Sequence, residues 1–269
     1  MNKSILLVGC GNMGRAMLGG WIETNVKPND IVVIDPVSKN LDAARMMGCR
    51  AFSSPLLIEE AYQPDVIVFA VKPQVMEDVI PTYRTYAERG ALILSIAAGT
   101  RVSLFEKYFG SDTAVIRTMP NTPAAIRKGM LVSCANSHVS DEQRGICDFL
   151  MNAIGVAAWV DNEKHMDAVT GLSGSGPAYV FHMIEAMTAA GIAEGLPEEL
   201  ATTLAKVTVA GAGELALLSD IDIAQLRKNV TSPNGTTAAG LDILMGQDGL
   251  TDLMKKTVAA AAQRSRELG

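Results

Sequence analysis

Gly9-Cys10-Gly11-Asn12-Met13-Gly14 is the first stretch whose residue types and spacing could do chemistry. It follows the apolar run Ile5-Leu6-Leu7-Val8 and opens a segment with apolar residues at helical spacing, Met17, Leu18, Trp21 and Ile22. In the order strand, GxGxxG, helix, each glycine has its own task. Gly9 allows a tight turn, Gly11 lets the backbone approach a pyrophosphate, and Gly14 lets helix and strand pack closely. Free N–H groups and the helix dipole then favour phosphate at the helix start. Glycine-rich turns also join strands to helices in proteins that bind nothing, but the position of this one favours binding. Asp35 closes the next apolar run, Ile31-Val32-Val33-Ile34, 21 residues beyond Gly14. An acid at roughly that spacing accepts hydrogen bonds from the adenosine ribose. Its charge repels a 2′-phosphate, which favours NADH modestly over NADPH and leaves both open. Pro36 can turn the side chain away, which would leave Asp35 an ordinary strand-end residue, and Ser38 and Lys39 suit a phosphate.

Three more apolar runs end in unusual short segments. Residues 66–70 lead into Val71-Lys72-Pro73, residues 92–95 into Ala97-Ala98-Gly99, and Val115-Ile116 into Arg117-Thr118-Met119-Pro120-Asn121-Thr122-Pro123. Lys72 invites reading as a catalytic lysine, but Pro73 fixes the backbone beside it and makes the stretch a rigid wall. Ala97, Ala98 and Gly99 are small enough for a flat ring to lie against the backbone. The cofactor-facing candidates are therefore Val8, Gly9, Cys10, Gly11, Asn12, Met13, Gly14, Asp35, Ala70, Val71, Lys72, Pro73, Ala97, Ala98 and Gly99.

Two hydroxyl-rich loops stand further on. Gly171-Leu172-Ser173-Gly174-Ser175-Gly176-Pro177 and Thr231-Ser232-Pro233-Asn234-Gly235-Thr236-Thr237 each precede a run of helix formers. Either suits helix capping or capture of a carboxylate. The second is denser in hydroxyls and glycine than capping requires. His138, His165 and His182 fall outside all these motifs, and no pair of groups forms an obvious acid–base dyad.

The elements that must position these residues follow from the same alternation. Short apolar strands separated by helical segments, near 41–47, 75–86 and 102–108, imply a parallel, doubly wound sheet. Ligands in such sheets bind beyond the carboxyl ends of the strands, where the candidate residues fall. After Trp159-Val160-Asp161 the composition shifts to Ala, Met, Leu and Glu, and helices are expected over 164–171, 177–193, 198–218, 223–229, 237–245 and 250–268. The expected architecture is α/β: an N-terminal Rossmann-like domain, 1–161, and an all-helical domain, 162–269. The helix from Glu198 is apolar on more than one face, as helices buried on several sides are. A partner subunit would cover it economically, the alternative being a monomeric bundle.

Composition narrows the function. With 269 residues, 48% of them hydrophobic, the chain can build a large core. The net charge of −6, without a basic tract, gives no support for nucleic acid or an anionic membrane as partner. Cys10, Cys49, Cys134 and Cys147 are scattered without CxxC or nearby His, which reads as reduced apolar fillers and not as a metal site. The start, Met1-Asn2-Lys3-Ser4, leads to no signal-peptide pattern. No uncharged apolar run has the roughly 20 residues of a membrane span, so a cytoplasmic protein is expected.

Taken in order, the glycine turn, Val71-Lys72-Pro73, Ser95-Ile96-Ala97-Ala98-Gly99, Met119-Pro120-Asn121-Thr122-Pro123, the 171–179 segment ending in Ala178-Tyr179, and the 231–237 loop resemble the pyrroline-5-carboxylate reductases over nearly the whole chain. The resemblance implies hydride transfer from NAD(P)H to the C=N bond of 1-pyrroline-5-carboxylate, forming L-proline. It also implies an intertwined homodimer, with further assembly into rings of dimers, and an active site between one subunit's cofactor and its partner's helices. Ser232, Gly235, Thr236 and Thr237 would hold the substrate carboxylate, and Thr237 would place a hydroxyl near the ring nitrogen, with Ser232 and Thr237 as the catalytic candidates. One departure is Asn234 where the family commonly has glycine; Asn tolerates a left-handed backbone better than other side chains do. Relatives that prefer NADPH usually carry a small hydroxyl residue where Asp35 stands. A 3-hydroxyacid dehydrogenase relative would need a catalytic lysine after the second glycine-rich loop, and Pro177-Ala178 offers none. A non-catalytic nucleotide-binding regulator would need no hydroxyl-rich substrate loop.

Overall fold

The structure, a computed structural model, describes residues 3–269; Met1 and Asn2, where the reading of the N-terminus begins, lie outside them. Eight strands form one sheet: β1 (Ile5–Val8), β2 (Ile31–Ile34), β3 (Arg50–Phe52), β4 (Val66–Phe69), β5 (Leu92–Ser95), β6 (Val115–Met119), β7 (Gly129–Ala135) and β8 (Gly155–Trp159). Their order is β3-β2-β1-β4-β5-β6-β7-β8. The β1–β2 and β1–β4 pairs are both parallel, so the order reverses at β1 and opens a crevice beyond the ends of β1 and β4.

Alternation along these strands sends side chains to two covered faces. Ile5, Leu7, Val66, Val68, Leu92 and Leu94 meet Met17, Leu18 and Trp21 of α1 (Asn12–Glu23) on one side. Leu6, Val8, Ile67, Phe69 and Ile93 meet Met76, Tyr83, Phe105 and Phe109 on the other. The remaining helices of this half are α2 (Ser38–Met46), α3 (Met76–Val79), α4 (Arg84–Glu88), α5 (Val102–Phe109), α6 (Asp141–Asn152) and α7 (Met166–Val169). Trp21 anchors α1 to α6 by burying its ring completely and donating Nε1–H to the Leu150 carbonyl at 2.9 Å.

Two features depart from the parallel sheet and intervening helices that the sequence implies. β7 runs antiparallel to β6, and β8 follows β7 in parallel. The link from β6 to β7 is one short 3₁₀ segment, Thr122–Ile126, and a parallel return needs a dozen or more residues. The single helix expected over 75–86 is two short helices, α3 and α4, joined by a 3₁₀ turn, Ile80–Tyr83, with Pro81 inside it. Proline removes a backbone donor and interrupts the helical ladder.

The described residues pack as two compact units: residues 3–175 with 261–269, and residues 176–260. Residues 162–175 and the last turns of the final helix thus cluster with the sheet, in part because Ser265 donates to Asp167 at 2.7 Å. The second unit holds α8 (Gly176–Ala193), α9 (Glu198–Leu218), α10 (Ile223–Asn229), α11 (Thr236–Leu244) and the start of α12 (Leu250–Leu268). Helices α8 and α9 approach closely where Ala201 lies 3.1 Å from the position a Cβ on Gly191 would take. By length and mean hydropathy (1.2) α9 is apolar enough to cross a membrane, although Lys206 and Glu214 interrupt it.

Candidate active site

Each glycine of the first turn has the surroundings its assigned task requires. Gly9 has φ +95°, and a Cβ there would lie 2.8 Å from the Ala70 carbonyl oxygen. A Cβ on Gly14 would lie 2.3 Å from the Gly9 carbonyl oxygen, so the start of α1 packs directly on the turn. Gly11, by contrast, would point a Cβ into open space. It is also the N-cap of α1, with no side-chain cap and no acidic residue in the first turn. The helix start therefore presents unmet N–H groups beside an unobstructed approach, an arrangement that fits a pyrophosphate.

Asp35 is 5% exposed, and its carboxylate is turned into the protein. Oδ2 accepts from the Cys10 N–H at 2.7 Å and from the Asn40 amide at 3.1 Å, while Oδ1 accepts from the Val37 N–H at 2.8 Å. The carboxylate thus braces the glycine turn against the end of β2. With three donors of the protein on it, the carboxylate gives less geometric support to a ribose contact, and so to an NADH preference, than its spacing in the sequence does. Ser38 and Lys39, at the start of α2, are exposed. Cys10 is fully buried, and burial, with the Asp35 charge nearby, pushes its thiol up to about 11; it is a neutral filler.

A cleft of about 430 Å³ opens beyond the carboxyl ends of β1, β4, β5 and β6. It gathers Gly11, Asn12 and Met13 from the turn, Ala70 to Pro73 after β4, and Ala97 and Ala98 after β5. Lys72 is exposed at the mouth, in extended backbone ahead of the 3₁₀ turn that Pro73 opens, so the stretch forms a wall. Gly99 lies away from the cleft: its φ is +74°, and it packs against Leu268, 3.4 Å from the Cβ it lacks. Val8, Gly9, Cys10, Gly14 and Asp35 stand behind the lining. Ile96, Met119, Pro120, Asn121, Thr122 and Gly174 line the cleft without having been chosen from the sequence. The Pro120-Asn121-Thr122-Pro123 turn at a strand end was the available signal.

The hydroxyl-rich loop is ordered by its own backbone. The Gly235 N–H donates to the Ser232 carbonyl at 3.0 Å, and Asn234 adopts the left-handed conformation with φ +59°, which its side chain tolerates. Gly235 is the N-cap of α11 and offers no side-chain cap, so the first-turn N–H groups of Thr236 and Thr237 need another acceptor. The Ser232, Thr236 and Thr237 residues around them are exposed. A carboxylate would meet both needs. Among the described residues no cluster of His, Cys, Asp or Glu could hold a metal ion.

Residues 163–268 match a family model described as pyrroline-5-carboxylate reductase dimerisation, and residues 4–99 match one described as NADP oxidoreductase, coenzyme F420-dependent. The chain is 40% identical over 265 residues to a pyrroline-5-carboxylate reductase of Pseudomonas aeruginosa, covering 98% of this chain and 96% of that one. It is 37% identical over 262 residues to one of Pisum sativum, covering 97% and 94%. Among solved structures, a pyrroline-5-carboxylate reductase of Coxiella burnetii superposes with a TM-score of 0.94 at 34% identity, covering 100% of this chain and 99% of that one. Plasmodium falciparum pyrroline carboxylate reductase with NADP bound gives 0.85 at 32% identity, covering 100% and 98%.

Proposed function

Because the chain belongs to the pyrroline-5-carboxylate reductase family, we propose that it reduces the C=N bond of 1-pyrroline-5-carboxylate to give L-proline. Bound reduced nicotinamide supplies the hydride. The observation that carries the reading is the pairing of features in one chain: a glycine-turn cleft with a flat alanine wall, and a second, uncapped helix start rich in hydroxyls.

The start of α1 takes the pyrophosphate on its free N–H groups, and Gly11 leaves the approach clear. Ala97 and Ala98 give the nicotinamide a smooth wall, with Val71, Lys72 and Pro73 fixing the opposite rim. Ser38 and Lys39, exposed at the start of α2, would receive the 2′ end of the adenosine, with Asp35 bracing the turn behind them, so NADPH would be accepted at least as well as NADH. Ser232, Gly235, Thr236 and Thr237 receive the substrate carboxylate on the N-terminus of α11. An imine protonated by water is already a good hydride acceptor, and the Thr237 hydroxyl orients its nitrogen. Alignment of donor and acceptor atoms then does most of the catalysis, an effect worth up to roughly 7–11 kcal/mol.

The enzyme works as a homodimer, and its dimers assemble into rings. Helix α8 is largely apolar, yet it buries no residue within one chain, and Phe181 is 58% exposed. On α9 Val207 is 66% and Leu217 81% exposed. An apolar surface of this extent marks a protein contact. Residues 1–161 form the cofactor half and 162–269 the dimerisation and substrate half, a division supported by the extent of the dimerisation family model. Substrate and cofactor are small soluble molecules, and no part of the scheme needs nucleic acid, metal or membrane; the cytoplasm is the compartment that supplies them.

The test is loss of nicotinamide absorbance on adding 1-pyrroline-5-carboxylate, run in parallel with NADH and NADPH. Oxidation with both, NADPH at least equal, is the expected result. Absence of oxidation with either refutes the activity.

A further inference from the structure

The end of β6 carries a side chain for which the proposed reaction has no use. Asn121 accepts at Oδ1 from the Met130 N–H, 2.9 Å away, and donates from Nδ2 to the Ser173 carbonyl oxygen at 3.2 Å, with the Ser173 hydroxyl at 3.4 Å. Its orientation is fixed by its partners, since the N–H can only donate and the carbonyl can only accept. Ser173 lies in a π-helical turn, Thr170–Gly174, in which the Ser175 N–H reaches back to the Thr170 carbonyl at 2.9 Å. In a regular α-helix the Ser173 carbonyl would accept from the residue four positions on. That residue is Pro177, which has no N–H. The Asn121 amide supplies the missing donor.

The consequence reaches the cleft. Gly174 follows Ser173 and lines it, as do Met119 and Asn121. A Cβ on Gly174 would stand 2.3 Å from the Met119 Cε, so the π turn packs directly on the side chain that ends β6. Turns of this kind are frequent at functional sites.

We propose that Asn121 is a positioning residue for the hydride transfer: by joining the start of β7 to the π turn, it fixes the 119–122 wall and Gly174 at the place where the reacting rings are held. This rests on the reading of the chain as a nicotinamide-dependent imine reductase. Displacement of a reacting group by about 1 Å costs up to about 100-fold in rate, even when the altered residue lies away from the chemistry.

Two substitutions separate positioning from folding. Asn121→Ala removes both bonds. Asn121→Asp keeps the acceptor for Met130 but sets a carboxylate oxygen against the Ser173 carbonyl; protonation at low pH gives a donor back. Hydrogen exchange of amides 171–176 in the full-length protein should quicken in Asn121→Ala. In both variants turnover at neutral pH should fall about 10- to 100-fold, with NADPH affinity, read by its fluorescence, close to that of the unaltered protein. The turnover of Asn121→Asp relative to the unaltered protein should then rise as pH falls, while that of Asn121→Ala should not. Unchanged exchange overturns the bracket. Faster exchange with undiminished turnover, or a pH-independent Asn121→Asp, overturns its role in positioning. Failure of the unaltered protein to oxidise NADPH with the imino acid would overturn the functional reading instead, and the exchange comparison would still decide the bracket.

Discussion

The Asp35 carboxylate receives the Cys10 N–H at 2.7 Å and so ties the end of β2 to the middle of the glycine turn. It receives the Val37 N–H and the Asn40 amide as well, and it is almost fully buried. A group held this way maintains the shape of the cofactor turn from behind.

Removing it should therefore cost stability first. Asp35→Ala leaves the Cys10 and Val37 donors without an acceptor, at a cost on the order of 2 kcal/mol. The melting temperature should drop, and KM should rise for NADH and NADPH alike. A variant of undiminished stability that gained NADPH affinity selectively would restore the ribose role.

The glycines of the turn should fail in different ways. Gly11→Val points its side chain into open space, so the fold should persist while cofactor affinity is lost. Gly14→Ala sets a methyl 2.3 Å from the Gly9 carbonyl oxygen, and overpacking of this kind costs typically about 1–3 kcal/mol. Thermal unfolding and cofactor titration of the two variants check the contrast; unaltered cofactor binding in Gly11→Val would refute the assignment of the turn.

The strands that the sequence discloses in full are those whose every residue is buried, β1, β2, β4 and β5, because a strand covered on both faces is a continuous apolar run; of β6 it discloses only the start, Val115-Ile116. β3 is three residues long and begins with Arg50. β8 is half-exposed, and β7 opens on a glycine whose contact with Gly155 only the fold explains: a Cβ on Gly155 would lie 2.0 Å from the Gly129 carbonyl oxygen. Helix α6 was legible in principle, since Ser140 and Gln143 form a capping box ahead of Ile146, Cys147, Leu150 and Met151. At the site, glycines and hydroxyls announce themselves by type. The inward turn of Asp35 and the bracket of Asn121 do not, because each depends on partners far along the chain.

Thr237→Ala should lower kcat/KM for the imino acid by about tenfold or more, the effect of one hydrogen bond in the transition state. The dissociation constant of NADPH should remain unaltered. Equal losses in both quantities would place Thr237 outside the substrate pocket.

Val207→Glu puts a charge on the exposed apolar face of α9 and should convert dimers to monomers in sedimentation, with turnover lost at the same protein concentrations. An active monomer would contradict a site shared between subunits.

Transfer of deuterium from C4 of labelled NADPH to the product tests the central claim most directly. The account predicts proline carrying the label at the former imine carbon, in step with NADPH oxidation. Oxidation without labelled proline, or proline labelled only from solvent, would contradict it.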